Sequence, residues 1–253
     1  MEIPASEPSK AEKLAYLQEK QDSHYFNHHK YGHDFSDTTM VCVVCPTGGG
    51  KSTLVREVSK RHGVAQLQSS MTRAMEPRDR HEPHHRFSVP LDEFYYGAID
   101  ESIVNFFVNR NNEVYGTFPG GFTEPMTIGA IGYETFEQLS QAGFKATPVM
   151  FPVMPGEVYD ERLTSGRIYQ PDIVQRLQQG VDTMHFGKNH LGADWFTPIL
   201  SSNAPGELQR AADDVYKIVR HESFQTLTLP QAERYMDEML EVCQRHLGRL
   251  AVQ

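Results

Sequence analysis

An apolar run from Met40 to Cys45 stops at Pro46. Thr47, three consecutive glycines, Lys51, Ser52 and Thr53 follow, and a helix-periodic segment opens at Leu54. Few stretches constrain a chain as tightly as a buried strand, a glycine loop and a helix start in that order. Glycines let successive backbone N–H groups turn inward around an anion with no Cβ in the way. The helix N-terminus adds partial positive charge. A lysine at the helix start reaches the β- and γ-phosphates of a nucleotide, and the hydroxyl after it suits Mg²⁺. Thr47, Gly48, Gly49, Gly50, Lys51, Ser52 and Thr53 are therefore expected to bind ATP, with Ser52 as the Mg²⁺ ligand. The pattern G-x-x-x-x-G-K-[ST] is met except at its first position, which is Cys45. That residue ends the strand, where a left-handed backbone is not required.

With 253 residues the chain can bury a full core, and 39% hydrophobic with 23% charged residues is ordinary for a globular protein. A net charge of −9 argues against a nucleic-acid or anionic-membrane partner. No apolar run approaches a membrane span, and the polar start MEIPASEPSKAEK has no signal core. Cys42, Cys45 and Cys243 make no disulfide framework, so a reduced, cytoplasmic setting is expected.

Residues 1–37 are expected to extend a nucleotide-binding domain over 38–225, and 226–253 to carry a C-terminal amphipathic helix. A short helix is expected over Ala11–Gln21. The spacing of His24 and His28 would put both on one helical face, as a metal site requires, but no further ligand joins them. After Gly63, Val64–Leu67 suits a strand. Arg73, Arg78, Arg80 and Arg86 then fall within a short span of an acidic chain, which points to an anion site. Leu91–Val108 has helical apolar spacing. Strands are expected at Val114–Thr117, Met126–Ile131, Lys145–Val153 and Trp195–Ser202. Helices are expected at Glu134–Ala142, Glu157–Leu163, from Pro171 to about Val181, and at Glu207–Val219. Alternating strands and helices predict an α/β, three-layer fold with a parallel sheet. In Gln231–Leu250 the apolar residues recur at three- and four-residue steps, and packing on the body is expected.

From about Met40 to Val219 the order of these pieces resembles the guanylate kinase family of P-loop nucleoside monophosphate kinases. Cys45–Thr53 resembles the family's phosphate loop. Ser69-Ser70-Met71-Thr72-Arg73 resembles the segment opening its GMP-binding region, and the interval from Arg73 to Phe87 is also the family's. Tyr115-Gly116-Thr117 matches its Tyr-Gly-Thr. Arg162-Leu163, Ser165-Gly166-Arg167 and Arg176-Leu177 look like its lid, and Ile199–Asn203 its late strand, ending in the Asn that borders adenine. The resemblance implies a P-loop fold with a small acceptor-binding insertion (about 69–118) and a lid (about 162–176). It further implies ATP and Mg²⁺ as cofactors and small-molecule nucleotides as substrates. Lys51, Arg162, Arg167 and Arg176 would be catalytic, Asn203 would join the ATP site, and Ser69, Arg73, Arg78, His85, Asn105, Tyr115 and Thr117 would bind the acceptor.

Three acceptor-side positions depart from the family. Its second phosphate-binding Arg falls on Glu76, its phosphate-binding Tyr on His85, and its guanine-reading Glu near Asn105. A carboxylate accepts from guanine N1 and N2 together, whereas an amide offers one acceptor beside a donor. The acid at the end of the family's third strand falls near Gly132, with Glu134 the nearest candidate. GMP or dGMP is the first acceptor implied. A different phosphorylated acceptor, or a nucleotide-binding module without turnover, stays open.

Overall fold

The structure, a computed structural model, describes residues 7–27, 30, 32–76, 84–122, 125–165, 172–224 and 227–250. Contacts divide the chain into two compact units: Met1–Thr38, Leu67–Pro125 and Glu134–Lys145 form the first, and Thr39–Gln66, Met126–Tyr133 and Ala146–Gln253 the second.

The second unit is built around β1 (Thr39–Val43). On one side β1 pairs with β6 (Met126–Ala130), and β2 (Ala65–Gln66) lies beyond it. On the other side it pairs with β7 (Val149–Val153), and β8 (Phe196–Leu200) lies beyond that. All pairings in this five-stranded sheet are parallel. A parallel sheet is covered on both faces, so its central strands are apolar throughout rather than alternating. Met40 to Val44 are all buried, as is every residue of β7.

On one face, α2 (Lys51–His62) and α7 (Glu207–Val219) bury Leu54, Val55, Val58, Ala211, Ala212 and Val215 against Val41, Val43, Ile128 and Met150. Each buried Leu or Val there contributes about 1.5–3 kcal/mol. Arg61 of α2 also forks onto Asp213 of α7, with both bonds at 2.9 Å. The other face carries α6 (Ile173–Asn189) and α8 (Leu229–Leu250). Two glycines of α6 make that approach possible. A Cβ on Gly187 would come within 2.8 Å of the Phe151 ring, and one on Gly180 within 3.1 Å of Cys243 Sγ. α6 therefore runs past the expected end near Val181, because its glycines are contact points rather than stops. Helix α5 (Gly156–Thr164) is held by α8, whose Glu238 accepts from the Gly156 N–H at 2.9 Å. Asp160 of α5 meets His246 at 2.5 Å and Arg245 at 2.7 Å.

The first unit contains an antiparallel sheet, ordered β3 (Ser70–Met71), β5 (Val114–Thr117), β4 (Asn105–Val108). Helix α1 (Lys10–Lys20) opens on a capping box, in which Ser9 and Glu12 bond each other's backbone N–H. Its Leu14 and Leu17 share a core with Phe94, Ile103, Phe106 and Val114. The segment expected as one helix over Leu91–Val108 is instead α3 (Leu91–Ile99) followed by β4. Glu101 takes a left-handed φ of 60°, and the Ser102 and Ile103 amides turn back onto the Gly97 carbonyl, which ends the helix. Asn105–Val108 then gains a ladder with β5 that a helix would forfeit. The outer edge of β4 is closed by side chains. Gln138, from α4 (Phe136–Gln141), bonds both the N–H and the carbonyl of Phe106, and Gln21 accepts from Val108 N.

His24 is not on a helix. Its backbone is extended (φ −68°, ψ 134°), and its Nε2 bonds the Ile103 carbonyl at 2.7 Å in a buried position. His28 lies outside the described residues, and no cluster of three or more His, Cys, Asp or Glu suited to a metal occurs among the described ones. No helix among them is long and apolar enough to cross a membrane.

Burial lowers the pKa of His24 from its ordinary value. A group whose folded pKa is depressed takes up its proton more readily when unfolded. The stability it contributes is complete above the unfolded value near 6.5 and is lost as pH falls through and below it. Urea unfolding at pH 7.5 and pH 5.5 is expected to show a loss on acidification that is smaller in His24→Gln. An equal loss in both proteins would contradict this placement.

Candidate functional site

In the second unit, β1 delivers the chain into the glycine loop and α2 begins at Lys51. Gly50 caps α2 with φ 91°, and Gly48 has φ 80°; both values lie in the left-handed region. At Gly49 the constraint is space. A Cβ would sit 2.4 Å from Cys45 Sγ and 3.1 Å from the Pro46 carbonyl oxygen, onto which the Gly49 N–H also turns at 3.1 Å. Cys45, standing at the pattern's first position, thus packs against the middle glycine of its own loop. Lys51 starts α2, and its ammonium donates to the Cys45 carbonyl, folded back over the loop.

Helix α5 presents Tyr159, Arg162 and Leu163 to this loop. A Cβ on Gly48 would lie 3.1 Å from Leu163 Cδ2 and 3.5 Å from Tyr159 Cε2. Among the described residues, a Cβ on Gly50 would meet only Arg162 Nη1 within 4 Å, at 3.5 Å. Arg162 is fixed from β8's end of the sheet: Nε donates to Asn203 Oδ1 at 2.9 Å, Nη1 to Ser201 Oγ at 3.2 Å and Nη2 to the Ser202 carbonyl at 3.0 Å. Burial lowers its pKa, but a guanidinium stays charged under any working condition. Asn203 also donates to Glu161 at 3.0 Å, so its side chain is engaged in orienting Arg162. Arg176, in the first turn of α6, is paired with Asp172 at 2.6 Å. Arg167 lies outside the described residues.

The glycines leave room for an anion, and Ser52, the second residue of α2, is the hydroxyl that could serve a Mg²⁺ held otherwise by water and phosphate oxygens.

In the first unit Tyr115 and Thr117 lie on β5, Asn105 opens β4, and Ser69 and Arg73 flank β3. Arg73 Nε donates to the Tyr115 hydroxyl at 3.1 Å, its Nη1 to the Ala74 carbonyl at 3.1 Å, and its guanidinium lies 5.2 Å from the centre of the Phe87 ring. Glu76 is 3.9 Å from Arg73 Nη1. The Tyr115 hydroxyl donates in turn to Glu113 at 2.9 Å, and burial, with the Glu113 carboxylate adding to it, pushes its pKa up to about 12. Tyr115 therefore keeps its proton and donates a hydrogen bond at any physiological pH. His85 Nδ1 accepts from the Ser69 N–H at 3.3 Å, which brings those two residues together. Asn105 and Thr117 are register partners across β4 and β5, and both are buried. Asn105 Oδ1 is buried with no hydrogen-bond partner among the described residues. At Gly116, the register partner of Phe106, the constraint is steric, since a Cβ would sit 2.5 Å from the Asn105 carbonyl oxygen. Arg78 and Arg80 lie outside the described residues.

Tyr159 beside the loop, Ser201 on Arg162 and Glu113 beside Tyr115 were not singled out in the sequence, and Leu163 was quoted only beside Arg162. Tyr159 could have been: with Arg162 and Leu163 it is spaced three and four apart, on one face of a helix. Ser201 and Glu113 gave no such signal.

No protein-family model matches the chain, and no curated protein matches it in sequence. In structure it is similar to guanylate kinase from Anaplasma phagocytophilum, with a TM-score of 0.50 at 14% identity, over 75% of this chain and 87% of that one. A gluconokinase from Sinorhizobium meliloti 1021 gives a TM-score of 0.39 at 17% identity, over 75% of this chain and 95% of the other. A structure from the PezAT toxin–antitoxin system of Streptococcus pneumoniae gives 0.31 at 14% identity, over 99% and 100%. The likeness is one of fold: a parallel α/β sheet of the P-loop kinase type.

The contact between Cys45 and Gly49 gives a coupled prediction. Gly49→Ala is expected to destabilise the protein by about 1–3 kcal/mol in urea unfolding. In a Cys45→Gly background the same change is expected to cost at least about 0.5 kcal/mol less. Additive losses would mean that the sulfur is not what excludes a side chain there.

Proposed function

We propose that this protein is an ATP-dependent phosphotransferase that passes the γ-phosphoryl group to a nucleoside monophosphate, with GMP or dGMP the first candidates. The observation that carries this reading is Arg162, a guanidinium beside Gly50 of a left-handed glycine loop, held there by three neutral oxygens. A loop that only bound nucleotide would need its amides and Lys51, but not an oriented second cation.

Phosphoryl transfer asks for positioning and charge neutralisation more than for covalent chemistry. The loop amides and Lys51 would grip the β- and γ-phosphates, Lys51 exchanging the Cys45 carbonyl for phosphate oxygen. Bound Mg²⁺, with Ser52 as its protein ligand, would supply charge neutralisation on the phosphate oxygens. Arg162 would stabilise charge on the transferring group, with Arg167 and Arg176 as lid partners, and Asn203 would serve the nucleotide side through its hold on Arg162. An arginine so placed is worth on the order of 10³-fold or more in rate.

On the acceptor, Arg73 and Tyr115 would bind phosphate, with Ser69, Arg78, His85 and Thr117 around them, and Asn105 would meet the base through its unpartnered oxygen. Asn105 in place of a carboxylate, and Glu76 beside Arg73, favour a second reading in which the acceptor is another small phosphorylated molecule.

A coupled ADP-release assay of ATP with GMP, dGMP, AMP, UMP, CMP, TMP and several sugar phosphates separates the two. A response to GMP or dGMP alone supports the first reading and a response elsewhere the second, while no response to any acceptor would contradict both. Lys51→Ala is expected to cut ADP release more than about 100-fold with the fold intact by circular dichroism. Undiminished release would remove the loop from the mechanism.

A further inference from the structure

The groups that grip phosphate in such a loop are backbone N–H groups, so their aim depends on what holds the neighbouring carbonyls. At Thr47 that partner is a side chain. The Tyr159 hydroxyl donates to the Thr47 carbonyl oxygen at 2.9 Å, and its oxygen lies 3.3 Å from Cys243 Sγ. Tyr159 is fully buried, so its hydroxyl has to find partners inside the protein. The same residue packs its ring edge against Gly48, 3.5 Å from where a Cβ would stand, and Leu163 closes in at 3.1 Å.

Two constraints thus act on one peptide unit. The carbonyl of Thr47 is hydrogen-bonded and the α-carbon of Gly48 is walled in. Because the peptide is planar and trans, the Gly48 N–H points opposite to the Thr47 carbonyl. Holding that carbonyl toward α5 therefore turns the amide away from α5. Gly48 has a left-handed φ of 80° and no side chain of its own to settle its orientation. The bond from Tyr159 is the external restraint on that plane.

We propose that Tyr159 is a positioning residue for the nucleotide phosphates, its hydroxyl fixing the Thr47–Gly48 peptide so that the Gly48 amide is presented to the polyphosphate. This rests on the reading of the loop as a triphosphate site. Tyr159 touches no reacting atom; it acts through the backbone. Without its hydroxyl the Thr47 carbonyl is freed to rotate, and the loop pays for reordering each time it binds.

The test is Tyr159→Phe, which keeps the ring and its packing on Gly48. Dissociation constants for ATP, ADP and adenosine are measured by calorimetry on the full chain, beside the melting temperature. ATP and ADP are expected to bind about tenfold more weakly, with adenosine unchanged. A role in packing alone would lower the melting temperature without this dependence on phosphate. ATP binding within twofold of wild type would overturn the proposal, as would an equal loss for adenosine. Cys243→Ala, which leaves the hydroxyl on Thr47, is the second arm. It is expected to keep ATP affinity within about twofold, and a loss as large as that of Tyr159→Phe would overturn the proposal. Wild-type protein that binds neither ATP nor ADP would instead defeat the reading of the loop itself, and this proposal with it.

Discussion

At Gly49, in the loop between β1 and α2, no side chain fits. The sulfur of Cys45 stands where a Cβ on Gly49 would go, and Leu163 crowds Gly48. Gly48 and Gly50 hold left-handed φ values that a branched residue would resist. This stretch sits at the end of the central strand of a parallel sheet, whose helices cover it on both faces. Much of the second unit follows from that arrangement. β1 needs neighbours on both sides, α2 needs the apolar face that Val41 and Val43 present, and α5 needs to lie where its residues reach the loop.

Helix α5 links packing to chemistry within this unit. Its far side is held by α8 through Glu238, Arg245 and His246, and its near side offers Tyr159, Arg162 and Leu163. Asp160 is hydrogen-bonded on both carboxylate oxygens, and although burial raises its pKa, His246 and Arg245 hold it below the ordinary carboxylate range. An arginine on a helix anchored this firmly is pre-oriented, so less freedom is lost when it meets a phosphate. In the first unit the equivalent economy is a chain of donors: Arg73 to Tyr115, then Tyr115 to Glu113, which also accepts from Asn109.

Local chemistry was legible in the sequence wherever one stretch carried its own reason. The glycine loop, the start and end of α7, and the periodic face of α8 needed no partner to be recognised. What escaped detection depended on distant residues. β4 carries apolar residues at helical spacing from those of α3, and only its pairing with β5 makes it a strand. The helix expected to end near Val181 continues, with Cys243 placed against Gly180. The bond from Tyr159 to Thr47 joins residues more than a hundred positions apart, and nothing in either segment announces it. Glycines show the same division. Gly50 follows from its motif, whereas Gly116 is explained by the Asn105 carbonyl and the Ile103 and Phe106 side chains packed against it.

The central claim is that the amides of this loop, with Lys51, hold the tail of a nucleotide. The most direct measurement is a crystal structure with a non-hydrolysable ATP analogue and Mg²⁺. The account predicts phosphate oxygens within hydrogen-bonding distance of the backbone N–H groups from Gly48 to Ser52, with the Lys51 ammonium moved from the Cys45 carbonyl onto the β- and γ-phosphates. An analogue bound elsewhere, or a loop left empty at saturating ligand with Lys51 still on Cys45, would contradict it.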